Sequence, residues 1–194
     1  MRVRYQSYQS FGLSPILILI IINLLVFIVV LIIPELILIL GVQPAGFLSR
    51  PWTILTSMFV HAGFWHIFAN MLTLYFFGNY LSRLVGNSKF LIVYFGGGIL
   101  GSILFILLAP SFSVAVGASG AIFALAGALV MMRPKSPVFI FPIPVPIPLW
   151  VAVIGGFLIL SFLPFVAWQA HLGGLVFGLI AGYLFRKRER SFSF

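Results

Sequence analysis

The sequence predicts an all-α integral membrane protein, a bundle of six transmembrane helices. Three observations carry this expectation. Of 194 residues, 62% are hydrophobic and only 7% are charged, whereas soluble domains carry about a quarter charged residues. Hydrophobic segments recur along the whole chain, separated by short polar or proline-rich stretches. The basic residues stand at the ends of those segments, which is how membrane topology is written. A chain this apolar needs lipid as its solvent, and without a long polar stretch a separate soluble domain is not expected.

The first span is expected at about Pro15–Leu40, rich in Ile, Leu and Val, with Asn23 as its main polar member. It is too long for a signal peptide and lacks a small-residue cleavage site. Pro34 and Glu35 predict a bend or an exit from the membrane core. Residues 41–64 are too apolar for an ordinary solvated loop, so they are expected in or on the interface, with Trp52 and Trp65 as anchors. The second span is expected at about Trp65–Leu84 and the third at about Phe90–Ala109. The fourth, about Ala118–Met132, is short beside the roughly 20 residues of an ordinary span. The fifth is expected at about Pro148–Leu163 and the sixth at about Ala170–Phe185. Between the fourth and fifth, PVFIFPIPVPIPLW alternates prolines that forbid helix and favour an extended surface path. The chain thus divides into an N-terminal segment 1–14, a membrane domain 15–185 and a basic tail 186–194.

Six spans put both termini on one side. That side then holds ten of the eleven Lys and Arg residues, all but Arg50, so it is expected to be cytoplasmic, in a cell membrane. The net charge of +9 therefore reflects topology and contact with membrane lipid. No basic face survives for nucleic acid, which is excluded as a partner. With no cysteine, disulfides, thiolate nucleophiles and Cys-based metal sites are excluded. No metal or other cofactor is expected.

The few polar residues converge. The three histidines, His61, His66 and His171, all fall at or near the outer ends of spans. His66 and Asn70 are four apart and share a helix face. Ser119, in the stretch VGASGAIFAL, is at the outer end of the fourth span, and His171 is at the outer end of the sixth. Polar groups within a membrane bundle are costly and functional by default. Gly120, Ala124 and Ala128 follow a four-residue period, as do Gly174, Gly178 and Gly182. Small faces of this kind let helix backbones approach closely. If the two faces pack, Ser119 and His171 lie side by side. A serine hydroxyl needs a base to become a nucleophile, and His171 is the natural base. A carboxylate usually orients such a histidine, but the chain has no Asp, and Glu35 and Glu189 are poorly placed. The expectation is a Ser–His dyad. Donors for an oxyanion are available at the helix start by Ser119 and from His66 and Asn70. Gly117 permits close approach.

These residues resemble the rhomboid intramembrane serine proteases, in their prokaryotic six-helix form. The matching motifs are GASG (117–120), HIFAN (66–70) and AHLGGLVFG (170–178), and HAGFWH (61–66) looks like the segment before the second core helix. The resemblance covers roughly residues 50–185. It implies a six-helix fold with a cavity open to the outer face, Ser119 as nucleophile, His171 as base, and His66, Asn70 and Ser119 around the oxyanion. It also implies substrates: transmembrane helices of other proteins, cut near the membrane surface. By the same analogy Phe157 and Trp168 would gate lateral entry. Three positions depart from the family pattern. Thr53 follows Trp52 where many members have Arg, Phe123 stands for a common Tyr, and Ser82 for a common Glu.

Alone, Ser119 reads as a packing serine, His171 as an interfacial histidine, His66 with Asn70 as an interhelical hydrogen bond, and His61 as structural. None of these readings predicts a shared depth or the motif order. A catalytically inactive relative that binds membrane helices is the alternative, but such relatives lose the serine or the histidine. A small transporter or channel would show internal repeats or charges along a path; no convincing repeat is found, and the only acidic candidate within a span is Glu35.

Overall fold

A computed structural model describes residues 13–139, 144–164 and 166–191, the last five of these as backbone only. The expected roles of Arg2 and Arg4, of the proline-rich stretch at 140–143 and of the end of the tail lie outside the described residues.

Helix α1, Pro15–Ile32, opens where Ser14 Oγ accepts the Leu17 N–H at 3.3 Å and Pro15 fills the first helical position. It stops before Pro34, which lacks an N–H and disfavours helix in the residue ahead of it. The expected break in the first span is therefore real, and a short helix α2, Leu36–Leu40, follows it. The interfacial segment folds into a 3-10 turn at Pro44–Ser49, helix α3 at Thr53–Thr56 and a second turn at Ser57–Phe59.

Helices α4, Phe64–Val85, and α5, Asn87–Leu108, are joined by one residue, Gly86, at φ +86°. Only glycine adopts that conformation without steric cost. Helix α6, Ser119–Met132, is the centre of the bundle, with ten of its fourteen residues buried. At 1.5 Å per residue it is only about 21 Å long. After it the chain makes a short antiparallel pair, β1 (Pro137–Val138) with β2 (Ile147–Pro148), consistent with the expected extended path. Helix α7, Leu149–Ser161, buries only Leu149 and Val153. Helix α8, Trp168–Ser191, continues past Phe185 into the basic tail.

Each expected span is thus helical, the first in two pieces, and among the described residues three helices are long and apolar enough to cross a membrane: Pro15–Ile32, Asn87–Leu108 and Trp168–Arg186. The core lies where α6 meets its neighbours, with Leu74 and Leu81 of α4, Phe90 and Tyr94 of α5 and Leu125 and Leu129 of α6 fully buried. Asn23 of α1 is also buried, its amide donating to the Leu19 carbonyl at 2.8 Å.

The tightest packing joins α6 to α8. A methyl group on Gly174 would fall on the Gly120 carbonyl, one on Gly178 on the Ala124 carbonyl, and one on Gly182 would come within 2.6 Å of the Ala128 carbonyl oxygen. The pairs advance together, so the helices run parallel, backbone against backbone. Gly178→Ala should therefore destabilise the bundle by about 1–3 kcal/mol, the usual cost of overpacking. Thermal unfolding in detergent checks this. Gly155→Ala on α7, where nothing lies within 4 Å, should leave the midpoint unchanged or higher.

Candidate active site

The site is assembled from two backbone constraints. One is the α6–α8 contact. Ser119 is the first residue of α6 and His171 lies in the first turn of α8. With the helices in parallel register, His171 Nε2 and Ser119 Oγ are hydrogen-bonded at 2.8 Å. Accepting the serine proton at Nε2 requires the ring's own proton on Nδ1. His171 Nδ1 is buried and has no hydrogen-bond partner among the described residues. The ring is instead covered by Phe123, with centroids 4.6 Å apart and planes 30° apart. Replacing the family's Tyr by Phe123 leaves this stacking in place.

The other constraint is a clasp between the interfacial segment and the residues leading into α6. Val42 and Ala115 exchange both backbone hydrogen bonds, at 3.0 and 2.9 Å. The Ala45 N–H donates to the Ser111 carbonyl at 2.9 Å, and the Gln43 amide donates to the Phe112 carbonyl at 3.1 Å. Nearest the serine, the Gly117 N–H donates to the Ser57 carbonyl at 2.9 Å, and the Ala118 N–H donates to His61 Nε2 at 3.4 Å. Burial first, and the His66 ring second, push the pKa of His61 down to about 3. The ring is neutral and free to accept.

Gly117 stands at φ +120°, and a methyl group there would meet His66 Nε2 at 2.6 Å and Ser119 Oγ at 3.8 Å. His66 thus lies against the backbone just before the serine. Asn70, one turn further along α4, donates one amide hydrogen to the His66 carbonyl at 2.7 Å and keeps its second. Asn70 and Ser119 both line a cavity of about 1090 Å³ between α4, α6 and α7. It runs down α4 as far as Arg83 and is walled mainly by apolar side chains such as Phe76, Phe123 and Val153. Phe157 packs its ring edge against Phe123 at 5.9 Å, and Trp168 is 40% exposed at the start of α8.

The structure therefore gathers Ser119, His171, His66 and Asn70 at one end of the bundle. Gly117, Gly120, Gly174 and Gly178 each sit where a side chain would clash or crowd. Two residues are missing from the sequence-based site. His61 touches the turn ahead of Ser119, which its place in HAGFWH hinted at. Arg50 donates to the Leu38 carbonyl and, at 3.2 Å, to Gln43 Oε1, while Thr53 Oγ1 donates to the Arg50 carbonyl at 2.7 Å. The interfacial segment is thus anchored despite Thr53. The signal was that Arg50 alone falls outside the topological charges. Ser82 Oγ donates to Asn87 Oδ1 across the α4–α5 turn, far along α4 from His66.

Fold and cluster together define a helical membrane protein with a serine–histidine pair at one end of its bundle. A family model described as the Rhomboid domain matches residues 48–188, and the chain belongs to the rhomboid family. It is 42% identical over 81 residues to the putative rhomboid protease YdcA of Bacillus subtilis, covering 42% of this chain and 41% of that protein. It is 34% identical over 155 residues to the mitochondrial Rhomboid protein 1 of Saccharomyces cerevisiae, covering 70% of this chain and 42% of that one. To the Inactive RHOMBOID-like protein 8 of Arabidopsis thaliana it is 33% identical over 129 residues, covering 64% and 35%. The matches span about two fifths or less of each of these relatives.

Gly117→Ala puts a side chain at positive φ and against His66. The expected cost is of order 1–3 kcal/mol in strain, visible as a lower thermal midpoint. Any hydrolytic activity should fall by at least about tenfold, because His66 must give way.

Proposed function

We propose that this chain is an intramembrane serine endopeptidase that cuts transmembrane helices of other proteins. The observation that supports it most is the 2.8 Å contact between Ser119 Oγ and His171 Nε2, with Ser119 lining a mainly apolar cavity. In this reading six helices cross a cell membrane with both termini cytoplasmic, and the Ser119 end faces outward. The short α6 leaves its serine below the membrane surface. Substrate enters sideways between α4 and α7, past Phe157 and Trp168, because α7 buries only Leu149 and Val153 of its thirteen residues.

The chemistry is acyl transfer. His171 Nε2 takes the proton as Ser119 Oγ attacks the scissile carbonyl. The oxyanion is met by the N–H groups opening α6, the His66 ring and the second Asn70 amide hydrogen. His171 then protonates the leaving amine, and a water activated by the same ring hydrolyses the acyl-enzyme. Orientation of His171 falls to Phe123 and to the α6–α8 packing in place of a carboxylate.

Purified protein in liposomes, given a generic transmembrane-helix substrate, tests this reading. Wild type should cleave it. Ser119→Ala and His171→Ala should each lower kcat by at least about a thousandfold, and the double variant should be no worse, since the two act as a unit. Cleavage that survives Ser119→Ala would reject the assignment. The similarity to an inactive relative favours a second reading, a helix-binding protein without catalysis. Capture of the substrate by the wild type without any cleavage would support that one.

A further inference from the structure

The geometry points to His61 as a positioning residue for the oxyanion wall, acting through Ala118 on one side and His66 on the other. The inference rests on the proteolytic reading above. His61 is 1% exposed and lies in the short link between the Ser57–Phe59 turn and α4. Its Nε2 accepts the Ala118 N–H, and its ring meets His66 edge-on with centroids 4.9 Å apart. One ring therefore touches both the backbone that carries the nucleophile and the side chain set against Gly117.

The start of α6 explains why such a residue is needed. A helix start leaves its first N–H groups without partners, and a Ser, Thr, Asp or Asn cap normally satisfies one of them. Here the cap position is Ala118, which has no side-chain acceptor, and no side chain caps the helix. A built-in cap would compete with substrate for the N–H groups beside Ser119. His61 instead takes the one N–H ahead of the serine and leaves the following ones for the substrate carbonyl. Ala118 is completely buried, so without His61 that donor would have no water to turn to.

Accepting at Nε2 also fixes the His61 proton on Nδ1. Nδ1 is buried without a hydrogen bond of normal geometry, although the Phe59 backbone acts on the ring. The Nε2 bond, the His66 contact and the Phe59 backbone then hold the ring. Arg50 anchors the interfacial segment through other partners, the Leu38 carbonyl and Gln43.

The test compares His61→Leu with His61→Gln, reading kcat, KM and thermal midpoint on the same transmembrane-helix substrate. Leu removes the acceptor at similar size, whereas the Gln amide oxygen reaches the place of Nε2. His61→Leu should lower kcat at least tenfold with KM within twofold of wild type. His61→Gln should recover kcat to within about threefold of wild type, even where both variants share a lowered midpoint. Wild-type kcat in His61→Leu, or equal losses of kcat in both variants, would overturn the inference. Should His61→Leu not fold, His61→Asn replaces it, because the shorter amide cannot reach Ala118. Equal kcat in the Gln and Asn variants would then be the contrary result. An inactive wild type would instead sink the proteolytic reading, and this inference with it.

Discussion

Three glycines of α8 lie directly on the backbone of α6, and most of the site depends on that contact. In lipid there is little hydrophobic gain from pressing two apolar helices together. Association comes from close packing, which needs small residues at the interface. Gly174, Gly178 and Gly182 meet Gly120, Ala124 and Ala128 in step. That register admits neither a rotation nor a shift of one helix without a clash. It fixes the relative position of Ser119 and His171 at the end of the same two helices. The hydrogen bond between them is a consequence of the packing, and so is the ability of His171 to hold its orientation without an acidic partner. Phe123, one turn into α6, completes the support by covering the imidazole.

A second device acts on the other side of the serine. The chain from Ser111 to Ala118 would be a free loop between α5 and α6. It is instead pinned at Val42, Ala45, Ser57 and His61. The interfacial segment that supplies those groups is itself held, with Arg50 reaching the Leu38 carbonyl in the middle of α2 and Thr56 Oγ1 donating to the Leu40 carbonyl at 2.8 Å. Ser102 of α5 adds a bond to the Ile54 carbonyl at 3.0 Å. Rigid placement on both flanks is what the proposed nucleophile, without a full triad, would require, because catalytic geometry tolerates little error. The α7 side is different. Gly155 and Gly156 have open space around them, and few α7 side chains are buried. Firm packing around the pair and loose packing beside the cavity divide the bundle into a fixed part and a yielding part.

Much of this was legible in the sequence, for identifiable reasons. Long apolar runs set the helices, Pro34 set the first break, and the four-residue period of small residues announced the α6–α8 face. Because both small faces begin beside a polar residue, pairing them also paired Ser119 with His171. The clasp was not legible. Val42 and Ala115 are ordinary apolar residues far apart in the chain, and nothing in their types marks them as partners. Backbone pairing leaves no signature in side chains. His61 looked structural because HAGFWH marks its segment but not its partner, an alanine N–H. Arg50 was visible as the odd cation out, yet its targets are carbonyls that only the fold brings near. The single-residue turn at Gly86 was likewise hidden in the gap between the expected second and third spans, Leu84 to Phe90.

The most direct test of the central claim, that Ser119 is poised as a nucleophile against His171, is covalent trapping. Purified protein in detergent would be treated with a fluorophosphonate and the adduct located by mass spectrometry in wild type and in His171→Ala. The account predicts a single adduct on Ser119, formed about a hundredfold or more slowly in the variant, the usual contribution of a positioned base. No adduct on Ser119, or one that forms equally fast without His171, would contradict it.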